Sequence, residues 1–204
     1  MIRPALLITA LVLALGLVAG AEIGRTALGS NFHTVVPKRC YRCSQPTPDD
    51  LDLLARRFGV RSVINLRGFD ERPWYQEERD TAERLGILFV DAGMWASSQP
   101  TVEEFQHVVT AVDESPEPIL IHCDGGSDRS GLASAIFLLL KTDASLPQAS
   151  GQLSLRFGHL PGGRAACLDR ILASYMAWLE QGDLQHRPEY FRRWTAEMYR
   201  PANP

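Results

Sequence analysis

Apolar and polar positions alternate between two periods along most of this chain, and the alternation lays out its elements. Val60 to Leu66 fills with Val, Ile and Leu as a buried strand does, and Ile87–Val90 and Pro118–Ile121 are further short apolar runs of strand type. Between them the spacing turns helical. Thr47-Pro48-Asp49-Asp50 starts a helix through Leu51, Leu53, Leu54 and Phe58, stopped by Gly59, with Thr as cap, Pro in the first turn and acids at the positive end of the dipole. Glu77–Leu85 is a charged helix ending at Gly86. Thr101-Val102-Glu103-Glu104 is a capping box for a helix to about Val112. Leu132–Leu140 is a helical apolar stretch, Ser145 caps a helix expected to reach Phe157, and Arg164–Leu179 is long and amphipathic. Pro188 opens a last helix bearing Tyr190, Phe191 and Trp194. Strands alternate with helices through the middle and helices dominate the C-terminal third. The expected class is therefore α/β: a mostly parallel central sheet of four to five strands flanked by helices.

The N-terminus is different in kind. Met1-Ile2-Arg3 is a short basic start, and Ala5–Ala21 is an uncharged, apolar run closing on Ala19-Gly20-Ala21. That pattern predicts a signal peptide or membrane anchor over 1–21, with small residues at the cleavage site. It implies an exported protein, periplasmic or held at the outer face of the cytoplasmic membrane. Residues 22–36 then read as a connector and 37–204 as the domain, with Tyr41-Arg42 as its first short strand.

Composition narrows the partners. An apolar fraction of 45% supports a filled core, and a formal charge of -3 without a basic stripe argues against nucleic acid. The only membrane contact expected is through the N-terminal segment, and nothing in the sequence calls for more than a monomer. There are four cysteines, Cys40, Cys43, Cys123 and Cys167. No second Cys/His pair stands at ligand spacing beside Cys40-x-x-Cys43, so no metal and no cofactor is expected. Outside the cytoplasm Cys43 has two readings: a small core residue, or half of a disulfide with Cys40 or Cys123.

One stretch carries chemistry: Ile121-His122-Cys123-Asp124-Gly125-Gly126-Ser127-Asp128-Arg129-Ser130-Gly131. Cys123 supplies a nucleophilic sulfur, and Arg129 a planar fork of donors suited to a phosphate-like dianion. The segment between them, Asp124, Gly125, Gly126, Ser127 and Asp128, has few Cβ atoms, so its backbone can curl and aim N–H groups into one concavity. A strand feeds this loop and a helix leaves it, which concentrates positive potential on the anion and on a thiolate. Arg67, leaving the carboxyl end of its strand, is a second candidate phosphate contact.

The pattern His-Cys-x-x-Gly-x-x-Arg-Ser/Thr-Gly, met by His122, Cys123, Gly126, Arg129, Ser130 and Gly131, resembles the signature loop of the cysteine-dependent phosphatases, particularly small bacterial members of the dual-specificity branch. Tyr41-Arg42-Cys43-Ser44-Gln45-Pro46 and Val63-Ile64-Asn65-Leu66-Arg67 resemble two further segments of those proteins, where position 43 is usually Ser. The resemblance spans residues from about 37 to about 180. It implies hydrolysis of a phosphomonoester, on phosphotyrosine, phosphoserine or phosphothreonine of a protein or on a small phosphoester, through a cysteinyl-phosphate. It also implies roles: His122 organising hydrogen bonds around the loop, Arg129 gripping two oxygens, and Ser130 bonding the sulfur as it leaves. An Asp from a separate loop would protonate the leaving oxygen. Asp91, 32 residues before Cys123 and at a strand end, is the first candidate, and Asp128 or Asp124 inside the loop is the alternative, as in myotubularin-type phosphatases. The other functions weighed are an inositol-phosphate phosphatase, a phosphate- or phosphoprotein-binding module without turnover, and a rhodanese-like sulfur transferase. Arg156, His159 and Arg164 lie in a stretch that can cap the pocket, and Trp74 and Tyr75 are candidates to flank a substrate ring.

Overall fold

The structure, a computed structural model, describes residues 30–201, so the expected export segment lies outside the described residues. Five strands form one sheet in the order β1-β2-β5-β3-β4, where β1 is His33–Val36, β2 Cys40–Cys43, β3 Ser62–Asn65, β4 Leu88–Asp91 and β5 Ile119–His122. Only β1 runs antiparallel, against β2; the other pairings are parallel, as the alternation of strands and helices predicts. Strand β1 falls within the stretch expected to be a connector, so the sheet begins earlier than Pro37. Its register against β2 shifts between Thr34 and Val36, and four residues with one irregularity give little periodicity to read.

Among the described residues seven α-helices flank the sheet: α1 Pro48–Phe58, α2 Pro73–Arg84, α3 Val102–Glu114, α4 Asp128–Lys141, α5 Leu146–Ser150, α6 Ala166–Gln181 and α7 Pro188–Arg193. The caps at Thr47, Thr101 and Ser145 are formed as read, each side chain accepting from the third helical N–H while that residue's side chain accepts from the cap N–H. Two helices differ from expectation. Helix α2 starts at Pro73, because proline's fixed φ suits a first turn. The helix expected to run to Phe157 stops at Ser150, and a separate 3-10 turn follows over Leu155–Phe157. The carbonyl of Gln152 faces a side chain of β2 there, as described below.

Alternate strand residues feed two apolar layers. Ile119 and Ile121 face the larger layer with α3, α4 and α6, whereas Leu120 faces the smaller one with Leu51 and Leu54 of α1 and Ala82 of α2. Helix α4 is the central element: every residue from Ser130 to Leu140 is buried. Its all-round apolarity follows, since β5 lies mid-sheet and the helix leaving it is covered on all sides. Burial of each large aliphatic side chain there stabilises by about 1.5–3 kcal/mol.

The two layers also decide the cysteines. Cys40 and Cys123 lie in the larger layer and Cys43 in the smaller, on the opposite face of the sheet. Cys40 and Cys43, three residues apart on one strand, are about 10 Å apart, beyond disulfide reach. All four thiols are free, and burial raises those of Cys40 and Cys43 above the ordinary range. Cys43 is thus a small buried core residue, and the disulfide reading is set aside for this fold.

Candidate active site

Four parallel strands place the loops after β2, β3, β4 and β5 at one edge of the sheet, and the signature loop leaves the strand that β2 and β3 flank. Cys123 follows β5 directly and is nearly buried, with the N–H of Gly126 donating to its Sγ at 3.2 Å. Gly126 adopts φ +70°, and a Cβ there would sit 2.5 Å from the Ser44 N and 2.6 Å from the Cys43 C. Glycine is needed twice over, for the left-handed turn and for backbone-to-backbone contact with β2. Helix α4 begins at Asp128, so the loop closes on a helix N-terminus as its sequence suggests.

The loop's outer carbonyls are held by Arg42, to which the sequence alone assigns no role. Arg42 is fully buried. Its Nη2 donates to Gly126 O (2.9 Å) and Ser127 O (2.7 Å), and its Nη1 to Gln152 O (2.8 Å) and Gln152 Oε1 (3.1 Å). The guanidinium also stacks on Phe157 at 4.4 Å. Burial pulls its pKa down to about 10, with the charge of Cys123 opposing, so it stays cationic at neutral pH. Asn31, in the stretch expected to be a connector, donates to Gly125 O (3.0 Å) and to Phe157 O (3.1 Å). With these carbonyls held from outside, the Gly126 N–H is left to face inward, onto Cys123 Sγ.

Arg129 donates from Nη1 to Leu66 O (3.2 Å) and Met94 O (3.4 Å), which fixes the guanidinium between the loops after β3 and β4. Its Nε and Nη2 carry no hydrogen bond among the described residues, leaving half of the fork for an anion. Ser130 is buried on the first turn of α4, and its Oγ has no partner among the described residues.

Behind the loop, His122 Nε2 stands 2.9 Å from Glu78 Oε1, both buried; this is an ion-pair contact off the axis of a hydrogen bond. Gln45 donates to Glu78 Oε2 (2.6 Å), accepts from Arg67 Nη1 (2.9 Å), and its N–H meets Asp124 O (3.1 Å). His122 therefore links the loop to α2 rather than bonding round the loop itself. Arg67 lies 3.6 Å over the Trp74 ring and 3.5 Å from the exposed Asp124 carboxylate. Burial lowers its pKa, Asp124 opposing. Trp74 thus supports Arg67, and Tyr75 is buried rather than at the rim.

Asp91 is at the end of β4 as expected, but both carboxylate oxygens are already acceptors. Asn65 Nδ2 donates to Oδ1 at 2.8 Å, and the Tyr75 hydroxyl donates to Oδ2. Burial and Asp91 raise the Tyr75 phenol, so it remains a donor. Asp128 has Oδ1 against His159 Nδ1 at 2.7 Å, and its Oδ2 carries no hydrogen bond among the described residues. Arg156 and Arg164 are exposed, and His159 is fully buried.

The comparisons agree with this geometry. The family model described as Swiss Army Knife protein, DSP-PTPase phosphatase domain, matches residues 29–159, more than half of the chain. The chain belongs to this family. The phosphatase is also 31% identical over 106 residues to the inositol diphosphatase SIW14 of Saccharomyces cerevisiae, a match covering 50% of this chain and 36% of that relative, about a third of its length. Among solved structures, the core catalytic domain of the S. cerevisiae PP-IP phosphatase SIW14 superposes with a TM-score of 0.55 at 24% identity, covering 75% of this chain and 93% of that one. PTPMT1 gives 0.51 at 16% identity, covering 74% and 99%. At such identities both establish the shared fold. Among the described residues, no helix is long and apolar enough to cross a membrane.

Proposed function

We propose that this phosphatase hydrolyses phosphomonoesters through a cysteinyl-phosphate, with Cys123 as nucleophile and Arg129 as the oxyanion clamp. The observation that carries the reading is the pairing of a Gly126 N–H on Cys123 Sγ at 3.2 Å with a guanidinium fixed at one end and free at the other. Sγ attacks phosphorus, the P–O bond to the leaving group breaks as the S–P bond forms, and water then cleaves the S–P bond. The loop N–H groups and Arg129 stabilise the charge on the transferring oxygens, without a metal. The free hydroxyl of Ser130 supports its role as a donor to the departing sulfur. The saturated carboxylate of Asp91 supports a bracing role for it, and the open oxygen of Asp128 supports that residue as the proton donor.

The substrate class we favour is an aryl or protein phosphomonoester, phosphotyrosine first. Phe69 and Trp95 are 70% and 72% exposed on the loops after β3 and β4, which meet where a Cβ on Gly93 would lie 2.9 Å from Gly68 Cα. Two large rings on adjoining loops suit an aromatic phosphoester. Asp124 and Asp128 in the signature loop disfavour a polyanion, although likeness to an inositol diphosphatase makes an inositol phosphate the second reading. A panel of phosphopeptides, aryl phosphates and inositol phosphates tests this, with Cys123→Ser as control. Vanadate-sensitive turnover fastest on phosphotyrosine peptides is expected. Phosphate binding with no hydrolysis in either protein overturns catalysis in favour of a binding module, and preference for inositol phosphates overturns the substrate class.

A further inference from the structure

His159 is fully buried, yet each ring nitrogen faces a carboxylate from a different helix. Nδ1 lies 2.7 Å from Asp128 Oδ1, and Nε2 lies 3.2 Å and 3.0 Å from Asp169 Oδ1 and Oδ2. Asp128 is the loop residue before Arg129 and opens α4; Asp169 is in the first turn of α6. Both carboxylates reach solvent in part, at 33% and 39% exposure, so the imidazole bridges a buried gap between two wet ends. The elements that shape the signature loop also place the ring. Gly158, at φ +83°, turns the chain out of the 3-10 segment, and the His159 N–H donates to Ser154 O at 3.1 Å. Phe157, two residues earlier, lies beneath Arg42.

Proton counting gives this arrangement its meaning. A neutral imidazole has one N–H, and a carboxylate has none. Two hydrogen bonds between three such groups require two protons. Hydrogen bonds at both ring nitrogens therefore call for a second proton, on the ring or on Asp128 Oδ1, one more than a neutral imidazole with two carboxylates supplies. Anion binding by the loop N–H groups and Arg129 does not need it.

We propose that Asp128, His159 and Asp169 form the proton relay of the reaction, with Asp128 the group that meets the leaving oxygen and His159 and Asp169 the residues that load and position it. The proposal rests on the phosphatase reading above. In the first step the S–P bond forms, the P–O bond breaks, and the relay's extra proton passes through Asp128 to the leaving oxygen. The trio is left with one proton, shared by His159 and Asp169. In the second step water attacks phosphorus, the S–P bond breaks, and a proton of that water returns to Asp128 and reloads the ring. Over both steps the relay gains and loses one proton and is unchanged.

The test compares phenyl phosphate, whose leaving oxygen needs a proton, with 4-nitrophenyl phosphate, whose leaving oxygen needs it far less. In the full chain, Asp128→Asn is expected to lower kcat on phenyl phosphate by about 10²-fold or more, and at least tenfold more than on 4-nitrophenyl phosphate. His159→Gln and Asp169→Asn are expected to show the same bias, at about tenfold. A purely structural clamp predicts equal losses on both esters, and that result overturns the relay. Should His159→Gln fail to fold, Asp169→Asn, on a partly exposed helix turn, reports from the far end. An independent arm reads the proton itself: nitrogen-15 and proton NMR of the wild-type chain should show a proton in the hydrogen bond at each ring nitrogen of His159, the one facing position 128 lost in Asp128→Asn. A single protonated ring nitrogen with both carboxylates ionised refutes the proposal whatever the turnover. Equal silence of wild type and Cys123→Ser on both esters instead refutes the phosphatase reading.

Discussion

Arg42→Lys separates the shape of the signature loop from the stability of the fold. The native guanidinium is fully buried and makes four hydrogen bonds, to Gly126 O, Ser127 O, Gln152 O and Gln152 Oε1, beside its stacking on Phe157. Lysine keeps the charge but gathers its donors on one atom, so it cannot span the loop carbonyls and Gln152 together. Each acceptor left buried and unpaired costs about 1–3 kcal/mol, and relaxation around the shorter fork brings the net loss to about 2 kcal/mol. A domain with a typical stability of about 5–15 kcal/mol stays folded after that loss. Arg42→Met, which removes every donor, is expected to cost about 3–5 kcal/mol, as breaking a buried charged network does. Urea unfolding measures the stabilities, and kcat/KM on 4-nitrophenyl phosphate measures the site. Because misplacing a reacting group by about 1 Å can cost 10²-fold, the Lys variant should lose about tenfold or more in kcat/KM while remaining almost wholly folded. A Lys variant within about 0.5 kcal/mol and twofold of wild type would refute the view that the fork shapes the loop.

Gly126→Ala should be severe: the left-handed φ alone costs about 1–2 kcal/mol, and its Cβ meets the main chain of Cys43 and Ser44 at 2.6 Å and 2.5 Å. Thermal unfolding should fall by well over about 4 °C, and an unchanged melting temperature contradicts the close approach. Asp113 links α3 to α7: Arg192 donates to it from Nε (2.7 Å) and Nη2 (2.9 Å), and that bond lowers its pKa. A carboxylate lowered in the folded state stabilises above its unfolded pKa, and that stability is lost as pH falls through the folded value. Asp113→Asn should therefore cost about 0.5–1 kcal/mol at pH 7, by urea midpoints, and progressively less as pH falls below the ordinary carboxylate range; a gap that does not narrow with falling pH sinks the ion-pair explanation.

Much of the site is local chemistry, and local chemistry is legible. The order strand, Cys123, glycines, Arg129, helix is written in eleven consecutive residues, and the helix caps at Thr47, Thr101 and Ser145 form as read, the first and last also closing as capping boxes. Cap and turn preferences depend on hydrogen bonds within one helical turn, so they survive without knowledge of the fold. The alternation of Ile119, Leu120 and Ile121 between two layers is likewise a property of strand geometry, and the succession of strand-type and helix-type stretches already carried the α/β class.

The supports of the site are of another kind. Arg42 meets Gly126 across 84 residues and Asn31 meets Phe157 across 126. No periodicity connects such positions, because packing chooses those partners after the sheet order has brought β2 beside β5. The same holds for the two acids. Asp91 and Asp128 are equal as letters, both at the edge of an element, and their difference lies in neighbours from elsewhere: Asn65 and Tyr75 fill one, while His159 contacts one oxygen of the other and leaves the second open. The sequence by itself determined the signature loop and the alternating layers around it, since both follow from short-range geometry. Which of the two acids keeps an unbonded carboxylate oxygen was decided only by tertiary structure, because hydrogen-bond saturation is a property of the assembled neighbourhood.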